Sequence, residues 1–146
     1  MRPDARTGRA VPSLSGREVL ALVPGLHASE PACVHDVGRL PGPHVTPALM
    51  WQWSEQVNAL LARPDCDGIV MTHGTDTLEE TAYLLDLRLT SDKPVCLVGA
   101  LRHSREPGFD GGANLLAAAR VAGDAGARSR GVMVVLNQEV HAAAEV

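Results

Sequence analysis

Residues 68–98 read GIVMTHGTDTLEETAYLLDLRLTSDKPVCLV. Two short apolar runs, Gly68–Thr72 and Val95–Val98, enclose a polar turn and a segment in which Leu78, Ala82, Leu85 and Leu89 recur at helical spacing. Apolar residues at consecutive positions suit strands buried on both faces, as in a parallel sheet covered by helices. Downstream the order repeats: an alanine-rich helical segment, Ala113–Gly123, leads to a third apolar run, Gly131–Leu136. Strand, helix, strand, helix, strand is the signature of βαβ units. The fold class is therefore α/β, with a parallel, flavodoxin-like sheet and flanking helices.

Upstream, Thr46-Pro47 opens a further helix, because threonine caps free N–H groups and proline at the first helical position loses no bond. Leu49, Met50, Trp53, Val57, Leu60 and Leu61 line one face of it, Trp51 falls off that face, and Arg63-Pro64-Asp65 stops it. Gly38–Val45 reads as a loop and Cys33–Val37 as a short strand. Ser15–Val23 reads as a short helix ended by Pro24-Gly25. Residues 1–14, with two prolines and no hydrophobic period, read as an irregular segment.

The 146 residues suffice for one domain with a real core. Only 3% are aromatic, so that core must be built from Leu, Val, Ala and Met. A net charge of −4 without a basic block excludes nucleic acid as the expected partner, while a small anion remains possible. No apolar run reaches the length of a membrane span and no signal-peptide pattern opens the chain, so no membrane partner and a cytoplasmic location are expected. Cys33, Cys66 and Cys96 are odd in number and lack a CxxC pair, and the six histidines never fall at metal-ligand spacing. No metal site and no disulfide framework are expected, and the cysteines read as structural residues, with Cys66 and Cys96 as small buried hydrophobes.

In parallel sheets, ligands bind beyond the carboxyl ends of the strands. The informative turn there is Thr72-His73-Gly74-Thr75-Asp76-Thr77-Leu78-Glu79-Glu80-Thr81. Gly74 permits a close backbone approach, and Thr75 and Asp76 stand at a helix mouth where free N–H groups favour negative charge. Two readings stay open on residue types alone. Asp76 with Glu79, or Thr77 with Glu80, has the spacing of a capping box that only starts a helix. A hydroxyl beside a carboxylate at the ligand edge is equally the beginning of a site.

The string THGTDTLEETA, preceded by DGIV and followed by YLLDL and KPVCLVGALR, resembles the second signature of the asparaginase and glutaminase family. The likeness continues through GFDGGANLL to Asn137, and GRLPGPHVTPALM is similar to the family's substrate loop and following helix, so it covers roughly residues 10 to 146. Family members hydrolyse a side-chain amide through a covalent acyl-enzyme without metal or organic cofactor. The resemblance thus implies an amidohydrolase acting on L-asparagine, with L-glutamine as an alternative substrate, and a homo-oligomer in the full-length form. It implies Thr75 as the second catalytic threonine and Asp76 as the carboxylate that grips the substrate's α-amino group. A threonine hydroxyl is a weak nucleophile or proton relay until a base activates it, and aspartate is the natural partner of an ammonium. Gly42, Gly74 and Ala100 complete the implied substrate-binding set, Ala100 together with Gly99 offering main-chain atoms to the amide.

Three departures accompany the likeness. The family's first strand ends in TGGTIA and carries the first nucleophile; here Arg6-Thr7-Gly8-Arg9 has no apolar strand before it, and the single tyrosine, Tyr83, sits in the helix after Asp76 and is expected to pack there. The loop serine that holds the α-carboxylate is replaced by Gly42. The family's catalytic lysine is expected just after Glu145-Val146, and the single lysine present, Lys93, precedes a strand and does not match it. The expectation is a partial N-terminal domain of the family over 15–146, lacking its first strand, with doubtful turnover by itself. A non-catalytic amino-acid-binding or interaction module of the same fold is the alternative, and the ammonia-supplying subunit of transfer-RNA amidation or a lysophospholipid-acting relative are variants within the family. A nucleotide binder is disfavoured, because neither GxGxxG nor GxxxxGK[ST] is present.

Overall fold

The computed structural model describes residues 2–3, 10–11, 14–21, 23, 25–26, 33–102, 104 and 106–146. Two short strands, β1 (Arg2–Pro3) and β2 (Ala10–Val11), pair antiparallel. This corrects the expectation of irregular chain over 1–14: a two-residue pairing needs no hydrophobic period, so none announces it. The helix α1 (Gly16–Ala21) lies within the expected Ser15–Val23.

Cys33–Val37 forms no strand. Apolar residues at 33, 34 and 37 suggested one, but a strand exists only by its ladder, and no described segment pairs with this one. The stretch is tied instead to α1, where the Gly16 N–H donates to the Asp36 carboxylate at 2.8 Å. That bond and the Arg39 guanidinium hold Asp36 below the usual carboxylate range.

α2 (Pro47–Leu61) begins as its sequence demands: the Thr46 hydroxyl accepts from the Leu49 N–H at 3.3 Å, with proline at the first helical position. Met50, Trp53, Val57 and Leu61 are buried on one face, and Trp51 is outside under the Arg88 guanidinium. Then come β3 (Ile69–Thr72), α3 (Leu78–Arg88), β4 (Val95–Val98), α4 (Gly111–Ala122), β5 (Val132–Leu136) and β6 (Glu139–Ala142). The sheet order is β3-β4-β5-β6; β3, β4 and β5 are parallel, and β6 turns back antiparallel on β5. The hairpin was not expected. Its two-residue turn, Asn137-Gln138, has φ of 50° and 65° at its two positions. Glutamine there is a poor advertisement for a turn that favours Asn-Gly.

Alternate residues of the central strands feed opposite cores. Val95, Leu97, Val132 and Val134 pack with Val57, Leu61, Leu78 and Leu85 beneath α2 and α3. Cys96, Val98, Met133 and Val135 pack with Leu115, Ala118 and Ala122 beneath α4. Helices on both faces explain why these strands are apolar throughout. Cys96 is fully buried, and burial pushes its thiol up to about 12; Cys66 is half-buried, whereas Cys33 is exposed, against the expectation of structural burial. All three are free.

Candidate active site

β3 and β4 end side by side, the His73 N–H extending their ladder to the Val98 carbonyl at 2.8 Å. Beyond that edge the chain makes a 3-10 turn, Thr75–Thr77, before α3 starts. Three glycines let backbone crowd around this turn. A Cβ placed on Gly42 would overlap the Asp76 carboxylate, one on Gly74 would stand 3.2 Å from the Gly42 main chain, and one on Gly99 would stand 3.1 Å from the Thr75 methyl. Thus Gly42, Gly74, Thr75, Asp76 and Gly99 converge, although they come from three separate stretches of the chain.

The capping alternative fails on hydrogen bonds. No side-chain cap is made at the start of the 3-10 turn or of α3. The Thr77 hydroxyl donates to the Gly42 carbonyl at 3.0 Å, binding the loop to the turn. The Asp76 carboxylate is exposed and accepts no hydrogen bond among the described residues. Thr75 is exposed beside it, its hydroxyl likewise unspent.

His73 lies beneath the turn. Its Nδ1 is 2.7 Å from the Gly74 carbonyl, its Nε2 is 3.0 Å from the Thr81 hydroxyl, and its ring meets Trp53 edge-on at 5.8 Å. A carbonyl only accepts, so Nδ1 carries the proton. Burial lowers the pKa of the ring and outweighs the opposing pull of the Gly74 carbonyl, Glu80 and Asp76.

Ala100 follows Gly99 at the end of β4, and its methyl lies so near Gly111 that a Cβ there would stand 3.2 Å from it. Two residues without an expected role of their own fix the backbone here. The Asp110 carboxylate accepts from the Leu101 and Arg102 N–H groups, each at 3.0 Å. Burial pushes this carboxyl up, yet those amides, with the Asn114 amide, together hold it below its ordinary value. Asn114, 1% exposed, donates to the Gly99 carbonyl at 3.1 Å and to Asp110 at 2.8 Å.

Other expected residues lie elsewhere. Tyr83 is 49% exposed on α3 rather than packed, because its position falls outside the Leu78–Ala82–Leu85 stripe. Lys93 sits at the opposite edge of the sheet, its ammonium donating to the Leu61 and Arg63 carbonyls at 2.7 and 2.8 Å. Thr7 lies outside the described residues.

The sequence matches the family model described as asparaginase, N-terminal, over residues 1–146. It is 50% identical over 95 residues to L-asparaginase 2 of Bacillus subtilis, covering 65% of this chain and 25% of that protein. It is 42% identical over 140 residues to a probable L-asparaginase of Deinococcus radiodurans, covering 94% of this chain and 40% of that one. Among solved structures it resembles a probable cytoplasmic L-asparaginase from Campylobacter jejuni, with a TM-score of 0.85 and 33% identity over 90% of this chain and 41% of the other. The chain therefore spans between a quarter and two-fifths of the length of these proteins.

Proposed function

The chain belongs to the asparaginase family, matching its N-terminal domain, and on that premise we propose that it supplies one wall of a site that hydrolyses the side-chain amide of L-asparagine to aspartate and ammonia. The observation that carries the reading is the Asp76 carboxylate, exposed and unspent, beside the Thr75 hydroxyl at the carboxyl edge of a parallel sheet. Asp76 grips the substrate's α-ammonium through charge-assisted hydrogen bonds. Thr75 contributes its hydroxyl to acyl transfer: the proton it surrenders leaves with the nitrogen as ammonia when the C–N bond breaks, and water then releases aspartate. Gly99 and Ala100 face the amide with main-chain atoms, and Gly42 leaves room for the Asp76 carboxylate. In the full-length form the protein is a homo-oligomer on this reading. The Campylobacter relative is described as cytoplasmic, and no described helix is long and apolar enough to cross a membrane; the same location is proposed here.

A second reading, an amino-acid-binding module without turnover, needs only the exposed Asp76 carboxylate. Two assays on the full-length form separate the readings: calorimetric titration with L-aspartate, and ammonia release from L-asparagine and L-glutamine. Asp76→Ala should abolish measurable binding, and Thr75→Val should preserve binding while removing turnover. Binding without ammonia release establishes the second reading. Turnover that survives Thr75→Val overturns the catalytic role, and binding that survives Asp76→Ala overturns the ammonium contact.

A further inference from the structure

We propose that Asn114, braced by Asp110, is a positioning residue that sets the Gly99–Ala100 main chain against Thr75; the proposal rests on the site reading given above. Every polar atom of the Asn114 side chain is engaged. Its nitrogen donates to the Gly99 carbonyl and to the Asp110 carboxylate, and its oxygen accepts from the Asn137 N–H at 3.1 Å. Two acceptors on one side and a donor on the other admit a single orientation of the amide. Buried at 1% exposure among Leu115, Ala118 and the apolar strands, such a group is costly unless every hydrogen bond is made. Plain packing of α4 on the sheet is done by those apolar neighbours; the amide adds links between three main-chain segments at the ligand edge.

These links bracket Ala100. Before it, the Gly99 carbonyl is held by Asn114; after it, the Leu101 and Arg102 N–H groups are held by Asp110. Ala100 itself makes no hydrogen bond among the described residues, so its N–H and carbonyl stay free while the other half of each flanking peptide is held. Gly99 in turn abuts the Thr75 methyl and the His73 carbonyl so closely that a Cβ there would stand 3.1 and 3.2 Å from them. A shift of Gly99 is thereby passed to the Thr75 turn. The chain of contact runs from the β5–β6 turn at Asn137, through Asn114 and Gly99, to Thr75.

The isosteric Asn114→Asp variant tests this directly, since it sets a carboxylate oxygen against the Gly99 carbonyl and the Asp110 carboxylate. Asp110→Asn, which loses one acceptor and keeps the other, serves as the milder variant should the first fail to fold. Lys93→Met is the control, loosening the opposite edge of the sheet. With folding verified by circular dichroism and measurements made well below each melting transition, Asn114→Asp and Asp110→Asn should each weaken L-aspartate binding about tenfold or more, since small misplacements propagate strongly to a preorganised site. In the ligand-free chain the backbone amide resonances of Thr75, Leu101 and Arg102 should also move. Lys93→Met should lower the melting temperature and change neither readout. Unchanged affinity in the folded Asn114 and Asp110 variants overturns the proposal, as does an equal loss in Lys93→Met, which would mark a merely structural role. Should the unaltered chain bind no L-aspartate, the site reading fails by itself. The amide resonances then decide the positioning claim, and a Thr75 resonance unmoved by Asn114→Asp refutes it.

Discussion

The two ends of the parallel strands are built from similar residues and use them in opposite ways. At the amino end several polar groups are consumed in holding chain to chain. Lys93 spans the Leu61 and Arg63 carbonyls, the Asn58 amide joins the Arg88 carbonyl to the Thr90 N–H, and Asp86 accepts from the Val132 N–H at 2.7 Å. Arg128 pairs with Asp92, whose carbonyl also receives the Ser129 N–H. At the carboxyl end, Asp110, Asn114, Thr77 and His73 are consumed likewise, yet Thr75 and Asp76 are left over in their midst. A carboxylate with nothing to hold, beside a free hydroxyl and close-packed glycine backbone, has the form of a ligand site.

The contrast can be broken most forcefully at Thr75. Thr75→Val keeps shape and removes only the hydroxyl, so in the full-length form ammonia release from L-asparagine should fall by about a hundredfold or more, while melting stays within about 0.5 kcal/mol of the unaltered protein. Undiminished release, followed by an ammonia assay, would erase the distinction between the edges. Lys93→Met probes the other side. It removes two charge-assisted bonds at the end of α2 and should cost about 1–3 kcal/mol in denaturant unfolding with L-aspartate affinity unchanged. A loss of affinity there would mean that the two edges are not independent.

The smallest effect concerns His73. Its folded pKa is depressed by burial below the ordinary 6.5, so below that pH the unfolded chain binds the proton more readily than the folded one. The stability this histidine contributes is intact above pH 6.5 and is lost as pH falls toward the folded value, where the loss levels off. His73→Gln should flatten that part of the melting-temperature profile. A variant whose acid sensitivity between pH 6.5 and 5 matches the parent would show that the ring is not neutral beneath the turn.

Much of the fold was legible because it depends on local pattern. Thr46-Pro47, the apolar stripe from Met50 to Leu61 and the runs at 69–72, 95–98 and 132–136 each carry their own signal, and each forms the element expected. Cys33–Val37 and the β6 hairpin misled for one reason. A strand is defined by its partner, and neither the missing ladder of the first nor the Asn137-Gln138 turn of the second is written in an apolar pattern. The site divides in the same way. Asp76 and Thr75 stand in one contiguous motif, whereas Gly42 is 34 positions before Asp76 and only the folded chain brings them together. The Asp110–Asn114 pair grips main-chain groups 8 to 23 residues away, which no spacing rule reveals.

The central claim is that the Asp76 carboxylate exists for a ligand and not for the helix it precedes. Asp76→Asn tests it most directly, because asparagine caps a helix as well as aspartate does but carries no charge for an ammonium. Calorimetric titration of the chain and of Asp76→Asn with L-aspartate, alongside their melting temperatures, is the measurement. The account predicts affinity reduced by about tenfold or more, the loss of a charge-assisted contact, with melting unchanged. Equal affinity in the two proteins would contradict it.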